Sequence, residues 1–280
     1  MNGSKSSKRF LESPRHPIVQ ELRRLLEKPA ERRAQGRFVV EGRRLIEDAA
    51  NAGLRIEVLL VGSGLAGDSA AQALIDRVEA AGGRVVWCGE RIIRALSQTE
   101  TPQGLIAAVS GWKPHHLEAA HLRPPVLLLD GVQDPGNVGT IIRTAAGAGA
   151  GAVVLGEACA DLFNPKVIRA SAGAVFRVPA VRLADASGLP VVAAAIRNRG
   201  WALLGLDPHR GRPYYDEALV GDVAFVVGGE ARGITEKLAK QCTGFLQIPL
   251  AGGVESLNVA ASVAVVLFEA ARQRARDAGR

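Results

Sequence analysis

This sequence predicts two α/β domains, the second of them a doubly wound parallel sheet. Three observations lead there. Apolar segments with strand and helix periodicity alternate between residues 18 and 109. A stretch with three prolines, GWKPHHLEAAHLRPP at 111–125, then breaks the alternation. Beyond it the run Val126-Leu-Leu-Leu129 opens a second alternation. An uninterrupted apolar strand of that kind suits burial on both faces of a parallel sheet.

The elements follow in order. Residues 1–16 are polar and basic and are expected to form a disordered tail. Ile18, Leu22, Leu25 and Leu26 recur at helical spacing, with Arg23, Arg24 and Glu27 on other faces. A short strand is expected at 38–40 and a helix at 43–52 burying Leu45, Ile46 and Ala49. A strand at 55–61, a helix at 69–81, a strand at 84–88, a short helix at 91–96 and a strand at 105–109 complete a small domain over 17–110. Residues 111–123 read as a linker, and its His115, His116 and His121 as solvated side chains, because no carboxylate or cysteine shares a ligand spacing with them. In the second domain, 124–280, strands are expected at 126–129, 152–155, 177–181, 191–195, 202–205, 223–227 and 245–248. Helices are expected at 138–148, 165–172 and 236–241, with a long final one at 259–276.

Composition narrows the class. With 280 residues, 48% hydrophobic and 22% charged, the chain is globular rather than disordered. No apolar run reaches the ~20 residues of a membrane span, so a soluble protein is expected. Cys88, Cys159 and Cys242 lie too far apart for a disulfide framework or a zinc ligand set, which suggests free thiols and no metal. The start MNGSKSSKRF lacks the apolar core of a signal peptide. Together with an Ala-, Gly- and Arg-rich composition, this points to a bacterial cytoplasmic protein, with a processed organellar protein as the alternative.

The net charge of +7 is not spread evenly. Residues 1–44 hold 12 Lys+Arg against 5 Glu, and residues 45–280 hold 23 of each sign. A basic lead-in of this kind suggests a polyanionic partner, nucleic acid ahead of membrane.

Two glycine strings invite misreading. Gly62-Ser-Gly64-Leu-Ala-Gly67 matches the dinucleotide pattern G-x-G-x-x-G between a strand and a helix. Asp68 and Ser69, however, look like the helix cap, which makes all three glycines loop and sets a carboxylate where phosphate should sit. A nicotinamide-dependent enzyme is the alternative this string leaves open. Gly147-Ala-Gly149-Ala-Gly-Ala152 runs from helix to strand, the reverse of the required order.

Three loops at strand C-termini are more informative, because ligands bind there in open α/β sheets. The first, Leu129 to Arg143, offers Asn137 as a helix N-cap, and Arg143 follows six residues later, about one and two-thirds turns along the helix and nearly opposite on it. The second runs from a buried strand into Gly228-Gly229-Glu230, where main-chain amides can meet a flat ligand and a carboxylate can accept hydrogen bonds. The third, Ile248-Pro-Leu-Ala-Gly-Gly-Val-Glu-Ser256-Leu257-Asn258, leads into the last helix with Ser256 and Asn258 as competing caps. No Ser–His–Asp set, Cys–His pair or metal cluster occurs in them, and histidine is absent between His121 and His209. Backbone amides, one Arg, one Glu and a few amides and hydroxyls suit a reaction governed by positioning, such as methyl transfer from a sulfonium donor.

In this order the three loops resemble the SpoU-type ribose 2′-O-methyltransferases of the SPOUT class, over residues 124–276. The strings are Asp134-Pro-Gly-Asn-Val-Gly-Thr-Ile-Ile-Arg143, Gly228-Gly-Glu-Ala-Arg-Gly233, and Ile248-Pro-Leu250 through Glu255-Ser-Leu-Asn-Val-Ala260. The first domain is similar to a ribosomal-protein-like substrate-binding domain, through Phe38-Val-Val-Glu-Gly42 and Thr101-Pro-Gln-Gly104. The resemblance implies a C-terminal trefoil knot, a homodimer formed through that domain, and S-adenosylmethionine held around Gly228, Gly229, Ile248, Leu250 and Leu257. It makes Arg143 the catalytic arginine, with Asn137, Glu230, Ser256 and Asn258 completing the site. Gly229 and Ala260 depart from the residues common at those positions. The expected substrate is structured RNA, 23S rRNA ahead of tRNA, with Arg23, Arg24, Arg32, Arg33, Arg37, Arg43 and Arg44 as phosphate contacts. A non-catalytic RNA-binding or ribosome-assembly protein is the second alternative. Deleting residues 1–44 is expected to weaken RNA binding and spare the cofactor.

Overall fold

The computed structural model describes residues 10–112, 122–185 and 188–279. Residues 1–9 of the expected tail and the linker histidines His115, His116 and His121 lie outside them. The chain divides into two compact units, Met1–Lys113 with Phe163–Pro165, and Pro114–Leu162 with Lys166–Arg280.

The first unit is built on a four-stranded mixed sheet in the order β1-β4-β2-β3. Its strands are β1 (Arg37–Glu41), β2 (Arg55–Gly62), β3 (Arg84–Cys88) and β4 (Leu105–Ser110). β2 and β3 run parallel, and β4 is antiparallel to both β1 and β2. Helix α1 (Pro17–Glu27) buries Ile18, Val19, Leu22 and Leu25 against Val39, Leu60, Ile92 and Ile106. One face of α1 is therefore core. The expectation of a disordered tail to residue 16 is corrected for its last part: the Leu11 amide donates to the Trp87 carbonyl at 2.8 Å, and Phe10 meets the Trp87 ring edge-on. An apolar pair, Phe10-Leu11, inside an otherwise polar segment supplies that anchor. Helix α2 (Pro29–Gln35) was not anticipated; it opens on a proline and closes on Gly36 at φ 61°. Helices α3 (Arg43–Asn51), α4 (Ser69–Ala80) and α5 (Glu90–Leu96) fall where the periodicity puts them.

Asp68 caps α4, accepting from the amides of Ala70 and Ala71. Glu90 Oε1 accepts from the Gly64 amide at 2.8 Å, and a Cβ on Gly62 would lie 2.8 Å from the same oxygen. A carboxylate of the chain itself thus fills the place where a dinucleotide phosphate would bind.

The second unit carries a seven-stranded sheet in the order β7-β6-β5-β10-β8-β11-β9, parallel at every pairing. The strands are β5 (Val126–Asp130), β6 (Ala152–Leu155), β7 (Ala180–Arg182), β8 (Ala202–Leu206), β9 (Arg212–Pro213), β10 (Val223–Gly228) and β11 (Gly244–Gln247). The helices are α6 (Pro135–Gly147), α7 (Pro165–Ala170), α8 (Gly188–Asn198), α9 (Glu236–Ala239) and α10 (Val259–Ala278). Val126, Leu128, Val154 and Val226 face Leu189, Ala193 and Ile196 of α8 and Leu238 of α9. Leu127 and Leu129, equally buried, point by alternation to the opposite face. The chain leaves β5 towards β6 and β7, crosses to the other side of β5 at β8, and later lays β10 between β8 and β5, so a topological switch point lies at the C-terminal ends of β5 and β10.

The strand expected at 191–195 is overturned. Those residues belong to α8, where Leu189, Ala193 and Ile196 are buried and Val191 is 65% exposed. The Val-Val pair has strand propensity, but burial at i, i+4 and i+7 decides for helix. The two-residue strand β9 was also not anticipated. Among the described residues no helix is long and apolar enough to cross a membrane.

Candidate functional site

Helix α6 begins three residues earlier than expected, because Asp134 rather than Asn137 is its cap. Asp134 Oδ1 accepts from the Asn137 amide at 2.9 Å, with Pro135 in the first turn. Lys166 Nζ lies 3.1 Å from Asp134 Oδ2. The Asn137 amide first, and then Lys166, hold the Asp134 carboxyl below the usual carboxylate range.

With the cap supplied by Asp134, the Asn137 side chain is left to bridge. Its Oδ1 accepts from Asn258 Nδ2 at 2.9 Å, and its Nδ2 donates to Glu230 Oε1. Asn258 in turn caps α10, accepting from the amides of Ala260 at 2.9 Å and Ala261 at 3.3 Å. That resolves the competition with Ser256. One hydrogen-bonded chain, Glu230–Asn137–Asn258, therefore ties together three loops that are far apart in sequence.

Backbone geometry explains the glycines. The Gly229 amide donates to the Asp130 carbonyl at 2.9 Å, and a Cβ there would come within 2.2 Å of the Gly131 carbonyl oxygen. A larger residue at 229 would need the β5 loop to move, which accounts for the small residue in this chain. A Cβ on Gly228 would lie 2.1 Å from the Gly233 carbonyl carbon. Asp130 Oδ2 also accepts from the Thr235 amide at 2.7 Å, joining the loops after β5 and β10 a second time.

These loops border a cavity of about 330 Å³ at the C-terminal ends of β8, β10 and β11. Gly228, Gly229, Ile248, Leu250 and Leu257 all line it, as do Glu230 and Ser256. Asn137 and Asn258 do not, and reach it through Glu230. Arg143 is exposed and stands outside the lining, and its side chain makes no hydrogen bond or ion pair with the described residues. Its position six residues beyond Asn137 turns it about 120° round α6 from that side chain. Sequence reasoning missed Leu206, Asp207, Pro208, His209 and Ser262, which also line the cavity. The available signal was positional: 206–209 follow a strand of the same sheet at its C-terminal end. Apolar walls, close main chain, two carboxylates and two serine hydroxyls suit a ligand with a flat ring, hydroxyls and a positive centre.

The basic residues of the first unit separate into two groups. Arg24, Arg33, Arg43 and Arg44 are exposed and Arg23 is half-buried. Arg32 and Arg37 are corrections. Arg32 is 2% exposed, and its Nη1 donates to the carbonyls of Leu25 at 2.7 Å and Leu26 at 3.0 Å. Arg37 pairs with Glu21 and, at 2.6 Å, with Glu57. Both guanidinium groups are committed within the fold.

Comparison with known proteins adds the following. Residues 124–268 match the SpoU rRNA Methylase family, and residues 16–107 match the MRM3-like substrate binding domain. The chain is 34% identical over 258 residues to a Bacillus subtilis protein named 23S rRNA (guanosine(2553)-2′-O)-methyltransferase RlmP, covering 92% of this chain and 97% of that one. A solved RNA 2′-O ribose methyltransferase superposes with a TM-score of 0.79 at 34% identity, over 95% of this chain and 99% of the other. The SpoU methyltransferase AviRb from Streptomyces viridochromogenes, solved in complex with AdoMet, gives 0.81 at 28% identity, over 93% and 99%.

Proposed function

The chain belongs to the SpoU rRNA methylase family as an S-adenosylmethionine-dependent RNA 2′-O-methyltransferase, and we propose that the cavity bordered by Glu230 holds the methyl donor and that 23S rRNA is the substrate. The observation that carries this reading is the Glu230–Asn137–Asn258 chain, which gathers the three recognition loops at one cavity mouth. The lining fits the donor in kind: Gly228 and Gly229 bring main chain close, Ile248, Leu250 and Leu257 supply apolar contact, and Ser256 supplies a hydroxyl. When bound, the donor supplies an already activated methyl group, so the protein has mainly to align a ribose 2′-hydroxyl and ease loss of its proton.

Arg143 is assigned to the RNA. A guanidinium is a poor base, and its planar fork suits bidentate pairing with a phosphate. Holding the target phosphate, Arg143 orients the neighbouring 2′-hydroxyl and favours its ionisation. Because Arg143 stands outside its own chain's cavity lining, the reading includes a homodimer through the C-terminal unit, in which either subunit can present the arginine. Trefoil-knotted threading of the second unit, a cytoplasmic location, and chemistry without metal or membrane belong to the same proposal.

The deciding experiment incubates the protein with labelled S-adenosylmethionine and unmodified rRNA and tRNA transcripts, then maps positions resistant to alkaline cleavage. One protected ribose in 23S rRNA is expected. Label in tRNA alone would replace the substrate, and RNA binding without label would favour an assembly protein. Full turnover by Arg143→Lys would remove bidentate positioning from the mechanism.

A further inference from the structure

The segment after β8 forms a wall of the cavity that none of the recognition loops accounts for, with Asp207 and His209 among its lining residues. It is fastened to β11 along its length. The Asp207 amide donates to the Leu246 carbonyl at 3.0 Å, and Gln247 Nε2 donates to the Pro208 carbonyl at 2.9 Å. The Asp207 carboxylate closes the turn. Its Oδ1 accepts from the His209 amide at 2.9 Å, and its Oδ2 accepts from Arg210 Nε at 2.8 Å.

Arg210 makes a second contact. Its guanidinium carbon lies 3.7 Å from the centroid of the Phe245 ring on β11. That ring is itself fixed, since a Cβ on Gly205 of β8 would approach it to 2.6 Å. Gly211 follows at φ +109°, where a Cβ would lie 2.3 Å from the Phe245 carbonyl oxygen. The chain can turn back here only because residue 211 is glycine. One side chain thus connects the carboxylate of a cavity residue to an aromatic ring on the neighbouring strand. Arg210 is not itself in the lining.

We propose that Arg210 is a positioning residue for the methyl donor, holding Asp207 and the 207–209 wall in the shape that receives it. The proposal rests on the reading of this cavity as the donor site. Arginine suits the task better than lysine, because Nε can donate in the guanidinium plane while the face of that plane stacks on the ring.

The test uses the full chain and its Arg210→Ala, Arg210→Lys and Leu257→Trp variants. S-adenosylhomocysteine is titrated calorimetrically, KM for S-adenosylmethionine and kcat are measured, and a thermal midpoint is recorded for each protein. For Arg210→Ala, Kd and KM should rise about fivefold to tenfold, the scale of one exposed ion pair plus one cation–π contact. Its kcat at saturating donor should stay within about twofold, because the wall shapes binding rather than the reacting groups. Arg210→Lys, which keeps the charge but not the stacked fork, should fall between the two. Wild-type donor affinity in Arg210→Ala would overturn the proposal, as would a loss in kcat with KM unchanged. A lowered thermal midpoint with unchanged affinity in the folded fraction would do the same. The cavity reading fails separately, if the parent protein does not bind S-adenosylhomocysteine or if Leu257→Trp, which fills the cavity, binds as the parent does.

Discussion

Asn137 holds an amide with both a donor and an acceptor, and it uses each across a loop boundary. Replacing it with aspartate keeps the shape but sets a second carboxylate against Glu230. Hydrogen bonds to charged groups contribute about 1.5–3 kcal/mol, so Asn137→Asp should lose on the order of tenfold or more in turnover while its melting curve shows it folded. Parent-like turnover would detach Asn137 from the site. Arg32 makes the opposite case. It satisfies two carbonyls in the last turn of α1, and Arg32→Ala should cost about 1–3 kcal/mol in a denaturant titration, the range for orphaned buried groups. RNA affinity of the folded variant should be unaltered, whereas Arg33→Ala should weaken RNA binding and leave stability alone.

At the scale of the element, α10 joins the site to the rest of its unit. Asn258 starts the helix at the site, and farther along Glu269 accepts from Arg272 and Gln273. Gln273 also binds the Leu219 amide and the Glu217 carbonyl, which secures the segment before β10. Hydrogen bonding from Arg272 lowers the Glu269 pKa from 4.5 to about 2. A depressed carboxylate adds stability that is fully present above the unfolded pKa and is lost as pH falls through the folded one. The thermal midpoint should therefore decline between about pH 4.5 and 2, and Glu269→Gln should flatten this part of the profile. The contribution is modest, because Arg272 is exposed and solvent screens the pair from its side, although Glu269 itself is mostly covered. Identical acid profiles for the two proteins would exclude Glu269 from the transition.

The whole molecule constrains how the RNA proposal can be tested. Deletion of residues 1–44 would remove α1, whose four apolar side chains are core, and β1, the strand paired with β4. Loss of binding would then report unfolding. Charge substitution avoids this. Arg24, Arg33, Arg43 and Arg44 are exposed, and changing all four to glutamine should reduce the slope of log K against log salt by about three, at ~0.7–0.9 per phosphate contact. Donor affinity should not change. An unaltered salt slope would move the RNA contacts elsewhere on the protein.

Much of this was legible in the sequence because it depends on local pattern. Uninterrupted apolar strands announced the parallel sheet, and glycine pairs with Asn and Glu at strand ends marked the loops. The errors also have local causes. The Val-Val pair in α8 has strand propensity, and the Asp134 cap was hidden because Asn137 is an equally good cap by type. Charge counting could not show that Arg32 and Arg37 are committed inside the first unit, since commitment depends on carbonyls and carboxylates brought near by folding. The sequence by itself determined the element types, the alternation and the loop chemistry, all properties of neighbouring residues. Tertiary structure alone decided that Asn137 bridges Glu230 and Asn258, that Gly229 has no room for a side chain, and that the loop after β8 walls the cavity. Each of those depends on groups 90 or more residues apart, or on strands that meet only when the sheet closes.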